Sequence, residues 1–160
     1  MPSDEWFMRE ALKEAARAFK EEEVPVGAVL VLEGKIVARG RNQVELLQDA
    51  TAHAEMLCLS AGAAAAQNWR LKGATLYSTL EPCPMCAGAC FASRIDRLVY
   101  GAPDLRLGAN GSFVNLFALK HPMHAIEVIS GVLGDEAAHL MKTFFEEQRW
   151  KKKSENSSSN

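Results

Sequence analysis

Apolar positions at helical spacing open the chain. Phe7, Met8, Ala11, Leu12, Ala15, Ala16 and Phe19 recur every three to four residues, and Ser3 followed by Asp4 and Glu5 supplies a cap and an acidic first turn. One face of that helix is predicted to pack on a sheet. Val26 to Leu32 and Lys35 to Gly40 are strand-like runs joined by Glu33-Gly34, a two-residue connection that suits a β-hairpin. A second helix is predicted to carry His53 and Glu55 at its start and to run through the alanine-rich 61–66. Ala74 to Leu80 reads as a third strand, Cys83 to about Ser93 as a helix, and Arg97 to Gly101 as a fourth strand. That succession implies a parallel pair joined by a crossover helix. Ala125 to Ile129 reads as a fifth strand. Asp135 to about Trp150 reads as a closing helix capped near Gly134 or Asp135. Gly101 to His124 is the main irregular stretch, with a short helix near Val114 to Leu119, and a connection that long usually has a task. The expected fold is α/β, a mixed five-stranded sheet with helices on both faces in three α/β/α layers.

Composition sets the number of domains. A chain of 160 residues with 48% hydrophobic content can bury one core and is too short for two ordinary domains. Residues 1–153 are read as that domain. Residues 154–160 hold nothing apolar to bury and are expected to be a disordered tail. The chain has no apolar run of about 18 residues, and its first five residues lack the basic start of a signal peptide, so a cytoplasmic location without membrane attachment is expected. Two of the four cysteines fall in a metal-type motif, which fits a reducing compartment. A net charge of −2 and a pI of about 6.1 announce no nucleic-acid binder globally, so any such contact must be local. Arg149 with Lys151, Lys152 and Lys153 around Trp150 either lies along a phosphate backbone or is a solvated helix end with cations suited to the dipole.

The chemistry is concentrated in His53-Ala54-Glu55 and Pro82-Cys83-Pro84-Met85-Cys86. Zinc accepts imidazole and thiolates in tetrahedral sites, and three protein ligands leave a fourth position for water, so His53, Cys83 and Cys86 suit a catalytic metal site. Cys83 and Cys86 are three apart, and Pro84 in the first helical turn brings both sulfurs to one point near a helix N-terminus, where the dipole favours thiolate. His53 and Glu55 are two apart, roughly 200° around a helix. Glu55 is therefore better placed beside the metal-bound water than on the metal. The cation lowers the pKa of that water toward about 7, making hydroxide available at neutral pH, and Glu55 would take its proton and pass it to the substrate. Cys90, one turn after Cys86, could extend a metal face, but His53-x-Glu55 would then be unexplained; Cys90 and Cys58 are read as small buried hydrophobes. His121 and His124 are read as polar loop residues, and Trp6 and Trp69 as packed.

At these residues the chain resembles the zinc-dependent nucleobase deaminases, whose signature is the histidine–glutamate and proline–cysteine pair. Val24-Pro-Val-Gly-Ala-Val-Leu-Val31, Gly40-Arg-Asn42, Thr51-Ala-His-Ala-Glu55, the segment from Thr79 to Ala89 and Gly108-Ala-Asn-Gly-Ser112 look like the tRNA adenosine deaminase branch. The resemblance covers about residues 4–150. It implies a cytidine-deaminase-like fold, one zinc per subunit, a homodimer, and hydrolytic deamination of the wobble adenosine in a tRNA anticodon stem-loop, a single-stranded loop whose base can be flipped into a pocket. By the same resemblance Asn42 and the Ala54 backbone N–H would hold the base, Val26 and Phe145 would line the pocket, and Asp104 would help fix the flipped nucleotide. Two departures matter. Phe144-Phe145 is followed by Glu146-Glu147-Gln148-Arg149 where relatives often carry an arginine-rich helix end. Pro84 is also shared with guanine and cytosine deaminases, which makes a free-base deaminase the alternative.

Overall fold

The computed structural model describes residues 2–158. The elements in chain order are α1 (Asp4–Lys20), β1 (Gly27–Leu32), β2 (Lys35–Arg41), α2 (Val44–Leu47), α3 (Ala54–Ala66), β3 (Thr75–Leu80), α4 (Pro84–Ala92), β4 (Arg97–Ala102), β5 (Glu127–Ile129) and α5 (Gly134–Ser158). The sheet order is β2-β1-β3-β4-β5. β1 is antiparallel to both β2 and β3, whereas β3–β4 and β4–β5 are parallel, so the sheet is mixed and α4 is the crossover between its central parallel strands. The β1–β2 turn has positive φ at both Glu33 (52°) and Gly34 (77°), the geometry that matches the twist of a two-residue hairpin.

Alternation along the strands builds two cores. Val29 and Val31 of β1 join Tyr77 and Val99 under Phe7, Met8 and Ala11 of α1. Ala28 and Leu30 face the opposite way, with Leu76 and Leu98, toward Cys58 and Leu59 of α3 and Cys90 of α4. α5 packs beside α1, on β4 and β3. The α/β/α layering is therefore as expected. α3 lies on β2 so closely that Gly40 meets the Ala54 carbonyl and the Cys58 backbone nitrogen with no room for a Cβ. Among the described residues no helix is long and apolar enough to cross a membrane.

Four features differ from expectation. α2 is an extra helix, held by a residue from another segment: the buried Glu23 carboxylate accepts from Glu45 N at 3.0 Å and Leu46 N at 2.8 Å. The short helix expected at Val114 to Leu119 is absent; the chain instead closes on itself through an Asn110–Asn115 bridge. Ser154 to Ser158 continue α5 where a disordered tail was expected, because no glycine or proline follows Gly134 to stop the helix; residues 159 and 160 of that tail lie outside the described residues. Trp6 and Trp69 are about half exposed, Trp6 edge-on to Phe7 and Trp69 under the Arg70 guanidinium at 4.2 Å.

Ser3 caps α1 as its position predicts, accepting from Trp6 N at 3.2 Å. Asp4 does more than favour the helix dipole. Its carboxylate takes two bonds from Arg97, at 3.0 and 2.7 Å, and one from the Tyr77 hydroxyl at 2.6 Å, tying α1 to β3 and β4. The Arg97 guanidinium, against burial and with Tyr77 adding, holds the Asp4 carboxyl below its ordinary 3.8. A depressed carboxyl contributes stability that is present above its unfolded value and is lost as pH falls through the folded one. Asp4→Asn should cost about 1 kcal/mol at neutral pH, since the pair is only partly buried, or about 2–4 °C in Tm. Thermal melts at pH 7 and near pH 2 check this: the gap between wild type and variant should close in acid, and an equal gap at both would reject the charge as its cause.

Candidate active site

Two helices begin at the same place. After β2 the chain passes through α2 and enters α3 with His53 as N-cap (φ −74°, ψ 150°); after β3 it enters α4 with Cys83 as N-cap (φ −73°, ψ 172°) and Pro84 in the first turn. Neither N-cap side chain caps its own helix. Both turn to a common point instead. His53 Nδ1 lies 3.6 Å from Cys83 Sγ and 3.5 Å from Cys86 Sγ. A tetrahedral zinc with bonds of about 2.1 Å to nitrogen and 2.3 Å to sulfur holds such donors about 3.6 Å apart, so both nitrogen–sulfur pairs are already at ligand spacing, and all three donor atoms lie within 4.8 Å of one another. His53, Cys83 and Cys86 form a group that could hold a metal ion. Cys58 and Cys90 are fully buried in the core beside the α3–α4 contact, as expected.

The three donors perturb one another's titration. A hydrogen bond from Cys86, opposed by burial and helped by His53, lowers the Cys83 thiol to about 4. Cys86 is driven up by that same bond and by burial. The contact with Cys83 raises His53, against partial burial. Glu55, on the first turn of α3, is 4% exposed, and burial raises its carboxyl above the ordinary 4.5. A carboxyl in that state takes up and gives up a proton nearer neutrality than a solvated one.

His53, Cys83 and Glu55 line a cavity of about 550 Å³, with Cys86 buried behind them. Val26, Asn42, Asp104 and Phe145 line it, so four of the five residues assigned to substrate by resemblance are brought together there. Ala54 is the exception. It is fully buried, and its N–H donates to Asn42 Oδ1 at 2.8 Å rather than being free for a base. The reason is local: the first N–H of α3 needs an acceptor, and its N-cap side chain is turned to the cysteines. Arg106 stands at the rim, 5.7 Å over the Phe145 ring. Two loop histidines are structural: His121 stacks on Phe91 at 4.6 Å, and His124 Nε2 meets the Ile95 carbonyl at 2.6 Å. Lys151, in the basic cluster, pairs with Glu22 at 2.7 Å. The residue that sequence reasoning missed is Glu81, buried in the cavity wall and bonded to the loop that carries Asp104. Its partners lie far along the chain, and the one available signal was a glutamate at a strand end immediately before the cysteine motif.

Comparison with known proteins settles the family. Residues 1–102 match the family model described as the cytidine and deoxycytidylate deaminase zinc-binding region. Over 153 residues, 96% of this chain and 95% of the relative, the chain is 50% identical to the tRNA-specific adenosine deaminase of Bacillus subtilis (strain 168). The chain belongs to the tRNA-specific adenosine deaminases. The deaminase of Haemophilus influenzae is 48% identical, covering 95% of this chain and 88% of its own. A structure solved in work on A-to-I editing by tRNA:A34 deaminases superposes with a TM-score of 0.81 at 47% identity, covering 84% of this chain and 98% of that one. The zinc-binding region ends with β4, after both motifs. The match to the Bacillus subtilis deaminase spans 96% of the chain and so extends past it, beyond β4. Zinc is the metal of this deaminase family, and His53, Cys83 and Cys86 are the donor set that suits it here.

Proposed function

We propose that this deaminase hydrolyses the wobble adenosine of a tRNA anticodon to inosine, releasing ammonia. The observation that carries the reading is Glu55, buried beside the His53, Cys83 and Cys86 donors in a cavity of the size that takes a small ligand. Identity to tRNA-specific relatives along nearly the whole chain narrows the substrate to RNA. Zinc held by those three donors supplies acidity to a water at that point. With zinc there, the water oxygen would add to carbon 6 while Glu55, in a setting that favours the neutral carboxyl, passes one water proton to ring nitrogen 1. Glu55 would then carry the second water proton to the amine as the carbon 6–nitrogen bond breaks, leaving the 6-oxo group of inosine and ammonia. Asn42, with its Oδ1 committed to Ala54, has its Nδ2 group to donate to the ring. Val26 and Phe145 enclose the base, and Asp104 fixes the flipped nucleotide. Residues 1–153 act as one deaminase domain, assembled as a homodimer in the cytoplasm.

Incubation with total tRNA and with an anticodon stem-loop, followed by inosine mapping, tests the substrate. Inosine is expected only at a wobble adenosine, with activity falling as salt rises. Ammonia release from free guanine or cytosine, with no inosine in any tRNA, would transfer the assignment to a free-base deaminase.

A further inference from the structure

Glu81 directly follows β3, is 2% exposed, and stands two residues before Cys83. Its Oε1 accepts from Asp104 N at 3.2 Å and Ser112 Oγ at 2.5 Å; its Oε2 accepts from Asn110 N at 2.7 Å and Ser112 N at 3.4 Å. The neighbouring Pro82 carbonyl accepts from Ala109 N at 2.8 Å. Gly108 backs onto the carboxyl group so tightly that a Cβ there would collide with it. The chain from Asp104 to Ser112 has no strand or helix of its own beyond the single Asn110–Asn115 bridge. A buried carboxylate is costly unless its acceptor sites are filled, and loop amides are costly unless they find acceptors. Each group here answers the other's need.

We propose that Glu81 is a positioning residue that hangs the 104–112 loop on the strand end carrying the cysteine motif, and so holds Asp104, Arg106 and Leu107 in register with the metal donors as the substrate-facing wall. The kinetic part of this proposal rests on the tRNA reading above; the structural part does not. Glutamine at 81 keeps the size but presents an NH2 group to N–H donors, and alanine at 108 pushes the loop off the carboxyl from the other side.

The full-length, zinc-loaded wild type, Glu81→Gln and Gly108→Ala separate the possibilities. Without substrate, amide hydrogen exchange at Asp104, Asn110 and Ser112 should quicken about tenfold or more in both variants, with β3 and β4 amides unchanged. On an anticodon stem-loop, KM should rise about tenfold while kcat stays within about threefold, the mark of lost binding rather than lost chemistry. Unchanged exchange at the three amides in both variants overturns the proposal. So does zinc loss with faster exchange throughout the sheet, which would make Glu81 a general support of the core. If Glu81→Gln does not fold, Gly108→Ala decides alone. If the wild type edits no RNA, the functional reading falls while the exchange result still judges the loop.

Discussion

Glu55→Ala should yield a folded, zinc-loaded protein whose turnover is lower by on the order of 100-fold to 10,000-fold. The size of the loss follows from the absence of a substitute. Of the acidic groups in the cavity, Glu55 is the one on the first turn of the helix that follows His53, and Glu81 has its oxygens occupied by loop donors. Burial that raises the Glu55 carboxyl also favours the protonated state midway through the reaction, which a solvated carboxylate reached through water would not reproduce. Glu55→Gln should fail as completely, since an amide of the same shape cannot accept the proton. Zinc content and circular dichroism establish that the variants are intact, and single-turnover assays on the stem-loop read the chemical step. Retention of more than about a tenth of wild-type turnover would assign the proton to another group.

The second large effect concerns the metal. Wild type should bind one zinc per chain, and Cys83→Ser or Cys86→Ser should abolish tight binding and activity together, because a serine hydroxyl is a poor replacement for a thiolate at a three-ligand site. Cys90→Ser is the control. Its sulfur is on the same helix, but complete burial pushes its thiol far up, so it remains a protonated core side chain. Metal analysis on the three purified variants decides. Full occupancy in both cysteine-motif variants with loss in Cys90→Ser would overturn the donor set.

The site was more legible in the sequence than the loops around it, for a physical reason. His53, Glu55, Cys83 and Cys86 lie in two short runs, and metal chemistry and helix geometry constrain their spacing within each run. The strands were legible because β1, β3 and β4 are largely apolar runs and β2 follows a hairpin turn, with ends displaced by a residue or two; β5 is the most shortened, Glu127–Ile129 against an expected start at Ala125. What sequence could not show is wiring between distant segments. α2 has no buried residue of its own and depends on Glu23, outside any local window. The Glu81 bonds reach Asp104, Asn110 and Ser112, and no periodicity encodes them. Ala54 shows the same kind of wiring: resemblance pointed to its N–H as a base contact, and here that N–H donates to Asn42 Oδ1, twelve residues away. The tail failed differently, since polar composition predicts poor burial, and α5 continues there without burying anything.

The bare contact at Gly40 changes how a mutational library of this enzyme should be read. Because the helix bearing the proton shuttle rests backbone to backbone on β2, any side chain at position 40 must lift Ala54, and with it His53 and Glu55, away from the cysteines. A selection scored on editing would therefore rank Gly40 among the chemical residues, although it never meets the substrate. The genetic footprint of catalysis in this fold is wider than its chemistry, and sorting the two requires scoring metal retention alongside product.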